Sequence, residues 1–214
     1  MPDSAFEIDI SNGQSALAFD ENRVLEAVLR ALAIEQVASA VLSISIVDDA
    51  AIHVINRDHL QHDYPTDVIS FQLDFISAEN LQDEDEPEND NSENDGEIDD
   101  DDCSEDDDEA DGDSVDDDSR NVADGELLTE GRAAGAAIEG EIIASAEMAV
   151  SMAADGKWSA EAELILYIVH GLLHICGYDD LTPEEKCIMR ARERAILSEL
   201  GLTAIYAEDA EDRH

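Results

Sequence analysis

Apolar residues recur along this chain with two distinct periods. Phe6, Ile8 and Ile10 alternate with Glu7, Asp9 and Ser11, the two-residue period of a strand buried on one face, and Asn12-Gly13 ends it. Val24, Leu25, Val28, Leu29 and Leu32 form a helical stripe, opened by Asp20 as N-cap with Phe19 placed to staple onto Val24. Leu42, Ile44 and Ile46 return to the strand period, and Asp48 caps a short helix carrying Ile52 and Ile55. Residues 67–73 and 140–145 read as two more strands. The rest is helical: residues 146–154, an apolar helix over 164–176 with Ser159 as N-cap, and a last helix over 183–200 that closes at Gly201. That last helix opens on a capping box, with Thr182 as N-cap, Pro183 at N1 and Glu185 at N3. The order predicts an α+β domain, a four-stranded mixed sheet packed with about five helices.

Charge divides this pattern in two. Residues 81–120 hold 23 Asp or Glu against one Arg, a net charge of −22 with almost nothing apolar to bury. Such a stretch cannot collapse and is expected to be disordered. Patterned segments lie on both sides, so residues 1–214 are expected to form a single domain with an acidic insertion at 78–136 in a surface loop. The Gly- and Ala-rich residues 131–137 are expected to be its flexible exit. The chain as a whole carries −45. Cys103, Cys176 and Cys187 show no paired spacing, which fits a reducing compartment. The N-terminal residues lack an apolar signal region, and the 164–176 run is too short to span a bilayer. The expectation is a cytoplasmic protein with no membrane partner; the oligomeric state is left open.

Candidate chemistry concentrates in His170-Gly171-Leu172-Leu173-His174-Ile175-Cys176-Gly177-Tyr178-Asp179-Asp180. Histidines at i and i+4 share one helix face, one turn apart, where both rings can reach one ion. Gly177 can take the left-handed conformation that stops a helix and returns the chain, which delivers Asp180 to the pair. A buried helical histidine is more often a satisfied core residue, but two at this spacing with a stop glycine and a carboxylate favour a metal site. Asp179 competes for the third place, or instead caps or faces solvent. Two imidazoles and a carboxylate leave a fourth tetrahedral position open, the pattern of a catalytic Zn2+, one per chain. The site thus belongs at the end of a buried helix.

These residues, with Tyr64-Pro65-Thr66-Asp67-Val68-Ile69-Ser70-Phe71 upstream and Gly140-Glu141-Ile142-Ile143 between, resemble the YbeY family of bacterial endoribonucleases, the rRNA maturation factors. The resemblance covers roughly residues 6–200. It implies a zinc-dependent, single-strand-specific endoribonuclease of the cytoplasm, acting on the 3′ end of 16S rRNA and in ribosome quality control. It also implies single-stranded rRNA and the small ribosomal subunit with its proteins as partners. His170, His174 and Asp180 are then the metal ligands and the catalytic group. Asp180 stands where the family usually has a third histidine, and Leu60 where many members carry an arginine.

RNA sits awkwardly with so acidic a chain, because affinity for phosphates comes largely from cations. Arg57, His59 and His62, or Arg190, Arg192 and Arg194 on the last helix, are the candidates for a local basic groove; Thr66, Asp67 and Ser70 are candidates for placing substrate. His59 and His62 could also donate protons to a leaving oxygen. Two other functions remain: a non-catalytic ribosome assembly factor whose metal is structural and whose acidic tract engages basic ribosomal proteins, and a metallopeptidase. The last lacks its general base, since Gly171 stands where a glutamate would follow the first histidine.

Overall fold

The computed structural model describes residues 5–81, 131–156, 158–204 and 206. The elements run β1 (Phe6–Asn12), α1 (Glu21–Ile34), β2 (Ser39–Val47), α2 (Asp49–Leu60), β3 (Val68–Ile76), β4 (Ala137–Ser145), α3 (Ala146–Gly156), α4 (Ala160–Ile175) and α5 (Pro183–Glu199). Among the described residues, the α+β class, the four strands and the five helices match expectation.

Helix starts are set by side chains that accept orphan backbone N–H groups. Asp20 accepts from Asn22 N (2.9 Å), Asp48 from Ala51 N (2.8 Å) and Ser159 from Ala162 N (3.1 Å). Thr182 and Glu185 form the reciprocal capping box on α5.

The sheet is mixed, in the order β1-β2-β4-β3. β1 and β4 both run parallel to β2, while β3 lies antiparallel to β4 on the outer edge. Strand alternation gives the sheet two faces. Leu42, Ile44, Ile46, Ile138 and Ile142 bury one of them in the main core with α1, α4 and α5. Ile69 and Ile143 point to the other, where Ile52 and Ile55 of α2 cover them. Helices α2 and α4 therefore lie on opposite faces. Helix α4 is apolar nearly all round because it is enclosed by its neighbours and the sheet.

Two glycines let α4 approach the sheet. A Cβ on Gly171 would lie 3.1 Å from Ile142 Cγ2 and 3.2 Å from Val68 Cγ2, and one on Gly140 would lie 2.6 Å from Ile175 Cδ1. These contacts hold the C-terminal half of α4 against β3 and β4.

Ile76 pairs with Ala137, so the residues between them connect two adjacent strands. Residues 82–130, the bulk of the expected insertion, lie outside the described residues. Residues 131–136 correct the expectation of a flexible exit. Ala133 and Ala136 are 0% and 1% exposed. Gly135, at φ +71°, donates its N–H to Gln36 O at 2.8 Å. A Cβ on Gly131 would lie 2.4 Å from Glu35 O. The small residues there serve close packing against the end of α1, which composition alone does not distinguish from flexibility.

Candidate metal centre

The end of α4 is built as the sequence suggests. Gly177 N donates to His174 O (2.9 Å) and Tyr178 N to Leu173 O (3.0 Å), with Gly177 at φ +88°. This pair of bonds is the Schellman stop, and it requires a left-handed residue at position 177. The turn carries the Tyr178 carbonyl back to the helix, where it accepts from His174 Nδ1 at 3.0 Å. On the other side, His170 Nδ1 lies 2.7 Å from Glu193 Oε1 of α5. A carbonyl and a carboxylate only accept, so both Nδ1 atoms are the protonated ones in the neutral rings.

Both Nε2 atoms consequently carry lone pairs, and they face each other at 3.1 Å with the rings perpendicular. Two acceptors at that distance repel unless a proton or a metal cation lies between them. Two nitrogens each about 2.0–2.1 Å from one tetrahedral zinc would be roughly 3.3 Å apart, close to what is seen. Asp180 Oδ1 is 3.9 Å from His174 Nε2. The donor atoms of His170, His174 and Asp180 all lie within 4.8 Å of one another, a group able to hold a metal ion. All three are partly exposed, open to solvent and buried enough to need one another. Asp179 caps the turn, accepting from Asp180 N at 2.8 Å.

The local field favours positive charge. Burial lowers the pKa of His170, but the hydrogen bond and charge of Glu193, with the carboxylates of Asp180 and Asp67, outweigh it and leave the pKa raised. What favours a proton at this point also favours a divalent cation.

The other expected residues are dispersed. Asp67 is close enough for its charge to act on His170. Its Oδ1 accepts from Thr66 Oγ1 (2.9 Å) and Val68 N (2.8 Å), so the pair shapes the start of β3. Ser70 packs beside Gly171, on the face of β3 turned to α4. His59 sits edge-on to Phe71, with 5.7 Å between centroids, and Arg57 pairs with Asp58 at 2.8 Å. Phe71 belongs to the face covered by α2, opposite α4. His62 stacks on exposed Tyr64.

The arginines of α5 have partners within the fold. Arg192 is buried, with Nε 3.7 Å from Glu35 Oε1, and Arg190 and Arg194 lie over the Tyr206 ring. Glu35, Glu193 and Tyr206 carry no local sequence signal, since their roles depend on partners 13 to 143 residues away. Tyr178 OH donates to buried Glu35 Oε2 at 2.8 Å, which anchors the turn that holds His174. Burial raises Glu35 despite that bond and the Arg192 charge.

Residues 8–201 match the family model described as Endoribonuclease YbeY. The chain belongs to the YbeY endoribonuclease family. Relatives named Endoribonuclease YbeY include one from Rhodopirellula baltica, 30% identical, with 97% of this chain and 78% of the relative covered. Another, from Roseiflexus castenholzii, is 31% identical, with 95% of this chain and 98% of the relative covered. The solution structure of TM1509 from Thermotoga maritima is also similar, at 15% identity and a TM-score of 0.46, with 91% of each chain covered. Family membership makes the chain a hydrolase of internal RNA phosphodiester bonds and sets aside the peptidase reading. Among the described residues no helix is long and apolar enough to cross a membrane.

Proposed function

We propose that this protein is a metal-dependent, single-strand-specific endoribonuclease that matures the 3′ end of 16S rRNA and acts in ribosome quality control, with His170, His174 and Asp180 holding one Zn2+. The facing Nε2 lone pairs, 3.1 Å apart, carry this reading. His170, His174 and Asp180 would hold the ion, which would supply a Lewis acid to acidify water and offset charge on the scissile phosphate. With an ion bound, His170 and His174 would serve as neutral donors through Nε2 and Asp180 as the carboxylate ligand. Among the described residues three donors gather here, a set that would leave a coordination position for solvent or substrate and so supports an enzyme over an assembly factor with a closed structural site.

Substrate placement falls to β3 and its approach. Ser70 packs beside α4 and the Asp67 charge acts on His170, so these two, with the adjoining Thr66, are the proposed contacts at the site, while Arg57 and His59, on the α2 side of the sheet, are proposed to meet the RNA only away from the ion. A flexible single strand can bring a phosphodiester to donors at a helix end more readily than a rigid duplex, whose grooves offer side chains little to read. The small subunit and its proteins are the proposed partners, and the cytoplasm the proposed compartment.

The test joins metal content to cleavage of a single-stranded RNA. His174→Ala is expected to lose the bound metal and with it cleavage. A variant that keeps both would refute the ligand assignment.

A further inference from the structure

Two residues outside the ligand set converge on it from the C-terminal part of the chain. Glu193 of α5 is only 3% exposed, and a carboxylate so deeply placed needs strong partners. One of its oxygens accepts from His170 Nδ1 at 2.7 Å. The other accepts the hydroxyl proton of Tyr206, which lies beyond the end of α5. Arg190 and Arg194 both lie over the Tyr206 ring, with guanidinium carbons 4.6 and 4.9 Å from its centroid.

We propose that Glu193, clamped by Tyr206, is a positioning residue that fixes the tautomer and direction of His170 and raises its donor strength toward a divalent cation. This rests on the metal reading above. An unconstrained imidazole can present either nitrogen and turn about its χ angles, whereas an Nδ1–H held by a fixed acceptor leaves the Nε2 lone pair as the only donor, already aimed. A carboxylate acceptor also increases the basicity of the ring more than a neutral oxygen does. The two histidines are then held unequally. His174 donates to a backbone carbonyl of its own turn, while His170 donates to a charged group on another helix. Through Tyr206, the segment after α5 acquires a part in metal binding although it contributes no ligand.

Full-length protein is stripped of metal and titrated with Co2+, read by its visible absorption, and Zn2+ affinity is measured by competition with a chromophoric chelator. Thermal midpoints of the metal-free proteins are recorded in parallel. Glu193→Gln keeps shape and acceptor but removes the charge, Glu193→Ala removes both, and Tyr206→Phe frees the second oxygen. Expected losses of affinity are about 10- to 100-fold for Glu193→Ala, with smaller losses for Glu193→Gln and Tyr206→Phe and an altered Co2+ spectrum in all three. A purely structural Glu193 would lower the metal-free midpoint and leave affinity and spectrum alone. Should Glu193→Gln and Tyr206→Phe bind within about twofold of the parent with its spectrum, the positioning role is overturned. If the parent itself takes up neither ion, the metal reading fails first.

Discussion

Gly140→Ala is a one-methyl change whose consequence can be worked from distances. The new Cβ would lie 2.6 Å from Ile175 Cδ1, 3.1 Å from Ile175 Cγ1 and 2.8 Å from Phe71 O. Carbon atoms pack comfortably at about 3.5–4.0 Å, so roughly 1 Å must be found. Phe71 O is backbone of the paired strand and Ile175 is fully buried, so neither can swing aside. Overpacking of this kind costs about 1–3 kcal/mol, and replacing a strand glycine by alanine returns about 0.5–1 kcal/mol. The net loss spans about 0–2.5 kcal/mol, and the two short backbone and buried contacts put it in the upper part, at about 1–2 kcal/mol. For a domain of this size that lowers the thermal midpoint by roughly 2–8 °C. The strain falls next to His174, and Ile175 O also accepts from Gln72 Nε2 at 2.8 Å, so metal affinity should fall too. Thermal and urea unfolding of metal-free protein measure the loss. Ile175→Val removes the clashing Cδ1, so the double variant should recover about 0.5 kcal/mol or more against the sum of the singles. A Gly140→Ala midpoint at or above the parent's, or strictly additive effects, would refute the argument that this glycine sets the approach of α4.

Other outcomes follow from burial and connectivity. Burial raises Glu163 above its usual 4.5, against hydrogen bonds from Trp158 and Tyr167 that lower it, and the Asp67 charge adds to the rise. The folded state then holds a proton that the unfolded state has released, so this contribution is complete below about pH 4.5 and is lost as pH rises through the folded value. Glu163→Gln should therefore gain thermal midpoint over the parent on going from about pH 4 to pH 8; a difference that is constant with pH, or that reverses, contradicts this. Replacing residues 82–130 by a short Gly-Ser linker should leave the midpoint unchanged or slightly raised, because Ile76 and Ala137 already sit paired. Each halving of a flexible loop returns only about 0.6 kcal/mol. A fall of many degrees would mean that the segment supports the fold.

The sequence by itself determined what depends on near neighbours. Alternation marked the strands, the helical stripe marked α1, and Asp20, Asp48, Ser159 and Thr182 announced helix starts because a cap acts within three residues. The cluster able to hold a metal was legible for the same reason: His170, His174, Gly177 and Asp180 fall within one helix end and its turn. Tertiary structure alone decided the rest. The place of β4 between β2 and β3, and the division of the sheet faces between α2 and α4, come from burying apolar area across long separations, and local period says nothing of which surfaces meet. The same holds for residues 131–136, small for packing rather than for flexibility. It holds also for Arg192, drawn inward to Glu35, and for Glu193, whose carboxylate acquires its role only when α5 docks beside α4. Backbone geometry repeats within a few residues, whereas desolvated charges find their partners only when distant segments fold together.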